Sequence, residues 1–395
     1  MSVGREFDVV LFGATGFTGG LTAEYLAAEA PTGCRWAVAG RDAAKLEALR
    51  DRLAVINPAC AKLELLQADV TDPHSLRAVA ARSRVVASTV GPYLVYGEPL
   101  VAACAEEGTD YLDLTGEPEF IDRMYLTYHA RAAATGARLV HCCGFDSIPA
   151  DLGTYFTVGQ LPEDVPIQVR GYVSGSATFS GGTLYSALTA ASRFRKAAAI
   201  AARRRQIETR PADRRVRGAR VLPHFENTVG AWALPAPVID PQVVLRSARA
   251  LGRYGPDFTY GHHLTVSRLP VAAALLGGVG AAVLLAQVPP GRRLLLARVR
   301  PGEGPSAERR AKSWFRARFV AEGGGRRVLA EVSGGDPGYG ETAKMLGESA
   351  LCLAFDDLPA TSGQVTTAVA MGDALIRRLT RAGIGFRVVD ERAAV

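Results

Sequence analysis

Short apolar runs alternate with amphipathic stretches through the first third of the chain. FDVVLF (7–12) reads as a buried strand running into GATGFTG, and a helix follows over 20–29. RWAVA (35–39) and the helix of GRDAAKLEALRDRL repeat the unit. KLELLQAD (62–69), RVVAST (84–89), YLDLT (111–115) and ARLVHCC (137–143) continue as strands. Between them lie helices starting at Pro73, spanning 97–108, and covering EPEFIDRMYLTYHARAAATG. Thr71 or Asp72 suits the start of the Pro73 helix, and Gly108 suits a helix stop. Such alternation predicts a parallel sheet with right-handed crossovers. The fold class is α/β, with a doubly wound domain over 1–146.

After Gly144 the rhythm changes. PIQVRGYVSG (166–175) alternates like an antiparallel strand, and HHLTVSR (262–268) reads as another. KSWFRARFVAEGGGRRVLAEVSG (312–334) has the form of a hairpin turning at Gly323–Gly325. Helices are predicted over 340–355 and 362–383, then a last strand, IGFRVVD. This gives an α+β substrate domain over 147–361. Residues 362–395 are expected to return to the first domain.

At 395 residues, two domains fit the length. The 48% hydrophobic content excludes a disordered or low-complexity chain. Six cysteines show no CxxC spacing, so neither a zinc site nor a redox pair is indicated. With no signal-like segment ahead of Val9–Phe12, we expect a reduced, cytoplasmic protein. There is no Ser-His-Asp nucleophile elbow and no HExxH.

The candidate chemistry starts at the glycine loop, Gly13-Ala-Thr15-Gly16-Phe17-Thr18-Gly19. It follows a strand and opens a helix. Gly13 permits the tight turn, Gly16 lets a pyrophosphate approach backbone N–H groups, and Gly19 lets the helix pack on the sheet. The spacing is GxxGxxG, but the surrounding alternation makes this a dinucleotide site of Rossmann type. At the end of the second strand stands Arg41 rather than an acid, with Lys45 one turn beyond. That favours a 2′-phosphate, hence NADP. Asp42 is read as the cap of the next helix. Asp69 is placed for adenine-edge contacts. Val90 and Gly91 end the fourth strand on the nicotinamide side.

GATGFTG, AGR, TVGPYLVYGEPLVAACAEEGTDYLDLTGE and CGFDSIPADLG resemble the saccharopine dehydrogenase-like oxidoreductases. SGGT (180–183) and VAMGDALIRRLTRAGIGF extend the likeness over most of the chain. Within that family the sequence is most similar to the actinobacterial trans-acting enoyl reductases. The resemblance implies an NADP-dependent reductase working on an enoyl group of a lipid or polyketide acyl chain, in trans to a synthase. Two alternatives stay open: a saccharopine-type dehydrogenase acting on a C–N bond, and a non-catalytic NADP-binding protein. No assembled set of cations offers to clamp a dicarboxylate. Enoyl reduction needs a hydroxyl or carboxyl donor. Tyr93, Tyr96 and Asp146 are the candidates, against readings in which the tyrosines pack the cleft and Asp146 serves a turn. His141 reads as structural. Ser180–Thr183 is an anion nest or a helix cap.

Two segments concentrate the remaining character. Residues 193–220 hold eleven basic residues and two acids, a local +9 that leaves the rest of the +7 chain at −2. This reads as a solvated run, or as attraction to anionic headgroups or an acidic carrier protein. Nucleic acid is excluded, because no aromatic stacking pattern accompanies it. Residues 269–288 are uncharged, with basic flanks on both sides. A buried, dimer-interface or interfacial segment is expected there rather than a span, making the protein peripheral to a membrane.

Overall fold

The structure is a computed structural model of the chain, in which residues 4–176, 193–236, 238–286, 291 and 305–393 are described. Ser180–Thr183 lies outside them. The described residues form two compact units. The first runs to Phe145 and resumes over Tyr339–Leu379; the second takes those from Asp146 to Gly338 and the chain from Thr380.

In the first unit the predicted alternation is present. β1 (Phe7–Phe12), α1 (Phe17–Glu29), β2 (Trp36–Gly40), α2 (Ala43–Ile56), β3 (Glu64–Gln67), α3 (Pro73–Arg82) and β4 (Ser83–Ser88) follow in order. α4 (Tyr93–Tyr96), α5 (Glu98–Glu107), β5 (Asp110–Asp113), α6 (Pro118–Thr135) and β6 (Arg138–Val140) complete the run. All strands pair in parallel in the order β6-β5-β4-β1-β2-β3, and a late strand, Gly363–Val365, adds beside β6. β1 is buried at all six positions, as a strand covered on both faces must be. Its one charge, Asp8, accepts from the Arg35 N–H at 3.0 Å and from its guanidinium at 3.1 Å. Burial alone would raise that carboxyl, but Arg35 and Arg84 win and hold it below its usual value. Arg138 and Asp110 pair likewise at the start of β6, Nε to Oδ2 at 3.0 Å. Ion pairs therefore close the amino ends of these strands and leave the carboxyl ends to the loops.

The second unit holds α7 (Ile148–Val158) and a mixed sheet of eight strands. These are β7 (Ile167–Gly175), β8 (Arg215–Gly218), β9 (His224–Glu226), β10 (Ala231–Pro235), β11 (Asp257–Val266), β12 (Phe315–Gly323), β13 (Arg326–Gly334) and the last strand, Gly385–Ala393. The predicted hairpin is β12–β13, in antiparallel register from Phe315↔Gly334 to Gly323↔Arg326.

Three boundaries differ from expectation. The chain returns to the first unit at Tyr339, so the helix Gly340–Phe355 belongs there and not to a domain ending at 361. Gly347 meets Tyr25 of α1 with no room for a Cβ. Second, 362–383 is not one helix. Gly363 and Gly372 take φ +81° and +42°, which divide it into a strand and two helices, Thr367–Ala370 and Gly372–Arg381. Third, the last strand pairs with β13 in the second unit.

The arginine run is built structure rather than a solvated loop. It contains the helix Phe194–Ile207 and β8. Arg214 donates to the carbonyls of Ala248 (3.1 Å), Leu251 (2.8 Å) and Arg249 (2.8 Å), capping the helix Asp240–Ala250. Arg204 pairs with Glu208 at 2.8 Å, and Arg217 with Asp257 at 2.8 Å. Among the described residues no helix is long and apolar enough to cross a membrane.

Candidate functional site

The glycine loop joins β1 to α1. Gly13 has φ +84°, and a Cβ there would lie 2.5 Å from Val90 Cγ2. A Cβ on Gly19 would lie 2.2 Å from the Gly13 carbonyl oxygen. Thr89, at the end of the fourth strand, fixes this junction. Its hydroxyl donates to Gly13 O at 3.0 Å and its N–H to Phe12 O at 2.9 Å. Gly16 is different. It is exposed, and its Cβ would meet only Gly13 O, at 3.4 Å. Internal packing thus explains Gly13 and Gly19 and leaves Gly16 free to admit a ligand. Gly16 starts α1 with no side-chain cap, and no acid stands in the first turn. Such an end offers N–H donors and the positive dipole end to a phosphate. Thr15 is exposed, Thr18 and Phe17 are half-buried, and the Phe17 ring meets Tyr339 edge-on at 4.8 Å.

The neighbouring strand ends carry the other expected residues. Arg41 is exposed after β2. Asp42 accepts from the Lys45 N–H at 3.1 Å and lies 3.7 Å from Lys45 Nζ, so it is the helix cap read from the sequence. Asp69 accepts from the N–H and the hydroxyl of Thr71 at 2.8 and 2.7 Å. Those bonds lower its pKa, and its carboxylate shapes the turn after β3. Val90 wedges against Gly13, and Gly91 is exposed beyond it. Gly16, Arg41, Asp69 and Gly91 therefore share the carboxyl ends of neighbouring strands, where doubly wound sheets bind ligands. This arrangement fits a dinucleotide: an open glycine, an uncapped helix and an exposed guanidinium.

Tyr93 does not stand free as a hydroxyl donor. It is 6% exposed, donates to Ser88 O at 3.0 Å and accepts from the Leu114 N–H at 3.2 Å. Its own N–H and that of Leu94 go to the Glu117 carboxylate at 3.1 and 2.8 Å. Burial, with Asp113 nearby, pushes the phenol well above its usual value. Its single proton is committed to a backbone carbonyl, so Tyr93 is a strut between β4 and β5, which corrects the expected role. Tyr96 is 42% exposed.

Sequence reasoning also missed Asp113. Its Oδ2 lies 2.6 Å from His141 Nδ1, and both side chains are buried. Its Oδ1 accepts from Thr115 N at 3.0 Å and Cys142 N at 3.1 Å. Cys142 has φ +63°, a left-handed conformation that a buried, hydrogen-bonded frame can impose. His141 is buried within that frame with its Nδ1 on Asp113.

Asp146 opens the second unit ahead of α7. It keeps solvent access, yet crowding by protein atoms strips enough hydration to raise its carboxyl to about 6. Asp240 is 8% exposed and is raised by burial, with Asp146 and Asp151 adding like charge.

Residues 9–140 match the saccharopine dehydrogenase NADP binding domain. A Mycobacterium tuberculosis protein named "putative trans-acting enoyl reductase" is 40% identical, covering 97% of each chain. A trans-acting enoyl reductase of Mycobacterium ulcerans is 36% identical, over 97% of this chain and 98% of its own. The chain belongs to the saccharopine dehydrogenase-like oxidoreductases. Its first unit is accordingly an NADP-binding domain, and the protein an NADP-dependent oxidoreductase. Apo saccharopine dehydrogenase (L-Glu forming) of Saccharomyces cerevisiae shares the fold, with TM-score 0.59, 14% identity and 99% and 100% of the two chains covered. In this family member all six cysteines are free.

Proposed function

We propose that this oxidoreductase reduces the carbon–carbon double bond of an enoyl group on an acyl chain carried by another protein, using NADPH. The observation that carries this is near full-length identity of 36–40% with proteins named trans-acting enoyl reductases. NADPH supplies a hydride to the β-carbon when bound.

The chain's own residues divide the remaining work. The N–H groups around Gly16 and the dipole of α1 hold the pyrophosphate. Arg41, with Lys45 behind it, takes the 2′-phosphate by charge-assisted hydrogen bonds. Asp69 would stand on the adenine side, and Val90 and Gly91 on the nicotinamide side. The saturated product needs a proton at the α-carbon. Asp146 holds one on its carboxyl at higher pH than an ordinary aspartate does, and Tyr96 offers a solvent-facing phenol.

The test is NADPH consumption with an enoyl thioester on an acyl carrier or its pantetheine mimic, compared with saccharopine plus NADP. Turnover of the enoyl thioester alone is expected. Turnover of saccharopine alone would replace this reading with C–N chemistry.

A further inference from the structure

Among the described residues, the helix Leu269–Ala286 is a long apolar element left largely in water. It contains only leucine, proline, valine, alanine and glycine. Leu269, Val271, Leu275, Leu284 and Leu285 are 53, 46, 37, 72 and 42% exposed, whereas Ala272 is 2% exposed. At 100° per residue, those five side chains spread over roughly 240° of the helix circumference, and Ala272 falls in the remaining arc. Ala272 thus marks the arc that rests on the body, and apolar side chains meet solvent over about the other two thirds of the circumference. A folded partner covers one stripe of a helix, whereas a fluid hydrocarbon phase covers every side.

The end of the sheet from which this helix departs has matching character. β11 stops at Val266, three residues before the helix, and Val266 pairs with Trp232. Phe225 stacks edge-on to Trp232 at 5.6 Å and is 46% exposed. β7 runs parallel to β11 and ends at Gly175 opposite Phe315, which puts Trp314, 44% exposed, at the same end. Tryptophan rings at one rim are the side chains that settle at a headgroup boundary. Arg268 precedes the helix, and Pro305–Trp314 carries Arg309, Arg310 and Lys312 against Glu308. These cations complement anionic headgroups and would repel a second copy. β8, from the arginine-rich run, pairs with the Asp257–Tyr260 end of β11 and so lies at the opposite end.

We propose that the second unit docks on an anionic phospholipid bilayer, entering one leaflet with the Leu269–Ala286 helix and seating Trp314, Trp232 and Phe225 among the headgroups. This inference does not depend on the identity of the substrate. Among the described residues no helix is long and apolar enough to cross a membrane, so this helix, roughly 27 Å long, lies or tilts within one leaflet.

The experiment is flotation of the full chain with phosphatidylcholine vesicles, with and without phosphatidylglycerol. The protein should rise with the anionic vesicles, less so in high salt. Leu284→Asp with Leu285→Asp should lower the bound fraction by about tenfold or more. NADPH binding by this variant, on the other unit, should be unchanged, and an unchanged tryptophan emission spectrum from Trp232 and Trp314 shows that the second unit folds. Brominated lipid should quench the native protein's fluorescence, and Trp314→Phe should lose part of that quenching. A native protein that stays at the bottom of the gradient overturns the proposal, as does a double variant that floats like the native one. A native dimer that the double variant makes monomeric, with neither floating, assigns the helix to a second copy instead.

Discussion

Asp113→Ala is expected to cost the first unit roughly 4 kcal/mol. The carboxylate is fully buried and serves three donors: His141 Nδ1 at 2.6 Å, Thr115 N at 3.0 Å and Cys142 N at 3.1 Å. A buried donor left without an acceptor costs about 1–3 kcal/mol, and removing one partner of a buried charged contact about 3–5 kcal/mol. The three losses share one site and do not add fully. Asp113→Asn separates them. Its carbonyl oxygen can still accept from Thr115 N and Cys142 N, while its amide would face His141. The imidazole must then move its proton to Nε2, a buried atom with no hydrogen-bond partner. About half the alanine loss, roughly 2 kcal/mol, should remain. The assay is urea unfolding followed by Trp36 in a Trp232→Phe, Trp314→Phe background, so that the first unit alone is read. An alanine variant within about 1 kcal/mol of the parent would refute the reasoning. So would an asparagine variant as unstable as the alanine one.

Arg41→Ala should weaken NADPH binding by about tenfold to a hundredfold and leave NADH binding nearly unchanged, because charge-assisted bonds to a phosphate contribute roughly 1.5–3 kcal/mol; titration calorimetry with both cofactors checks this. Gly16→Ala should fold normally and bind NADPH poorly, whereas Gly19→Ala, whose Cβ would meet Gly13 O at 2.2 Å, should lose stability first; thermal melts and cofactor affinity separate the two. Asp146 has its folded pKa raised from 3.8 to about 6, so ionising it opposes folding. Stability should fall as pH rises through that window, and Asp146→Asn should melt higher than the parent above it and alike below it. If Asp146 delivers the proton, kcat should also fall above that pH, and the Asn variant should lose this limb.

The first unit was legible because each strand is short, apolar and followed by a helix, so local pattern and topology agree. Asp42 as a cap and Gly108 as a stop follow from chemistry within a few residues. What escaped depends on distant partners. β8, β9 and β10 are three to five residues long; β8 and β10 take their hydrogen bonds from β11, and β9 takes its from β10. The arginine run looks like a loop until the carbonyls that Arg214 caps, 34 to 37 positions on, are known. Tyr93 resembles a free donor until Leu114 and Ser88 are seen to take its hydroxyl. Asp113 and His141 are 28 residues apart and meet only because β5 and β6 lie in register.

The return of the chain to the first unit bears on the order of synthesis. Residues 1–145 leave the ribosome first, but β6 then has an unpaired edge until Gly363–Val365 arrives. The helix Gly340–Phe355, twelve of whose residues are buried, also comes late, and it supplies Glu348 to the Tyr25 hydroxyl of α1 at 2.6 Å. The nascent cofactor domain must wait, with apolar surface and a strand edge uncovered, while nearly two hundred intervening residues are made. A fragment cut at 146 should for the same reason aggregate rather than bind NADPH, and the nascent chain is a natural client for a chaperone.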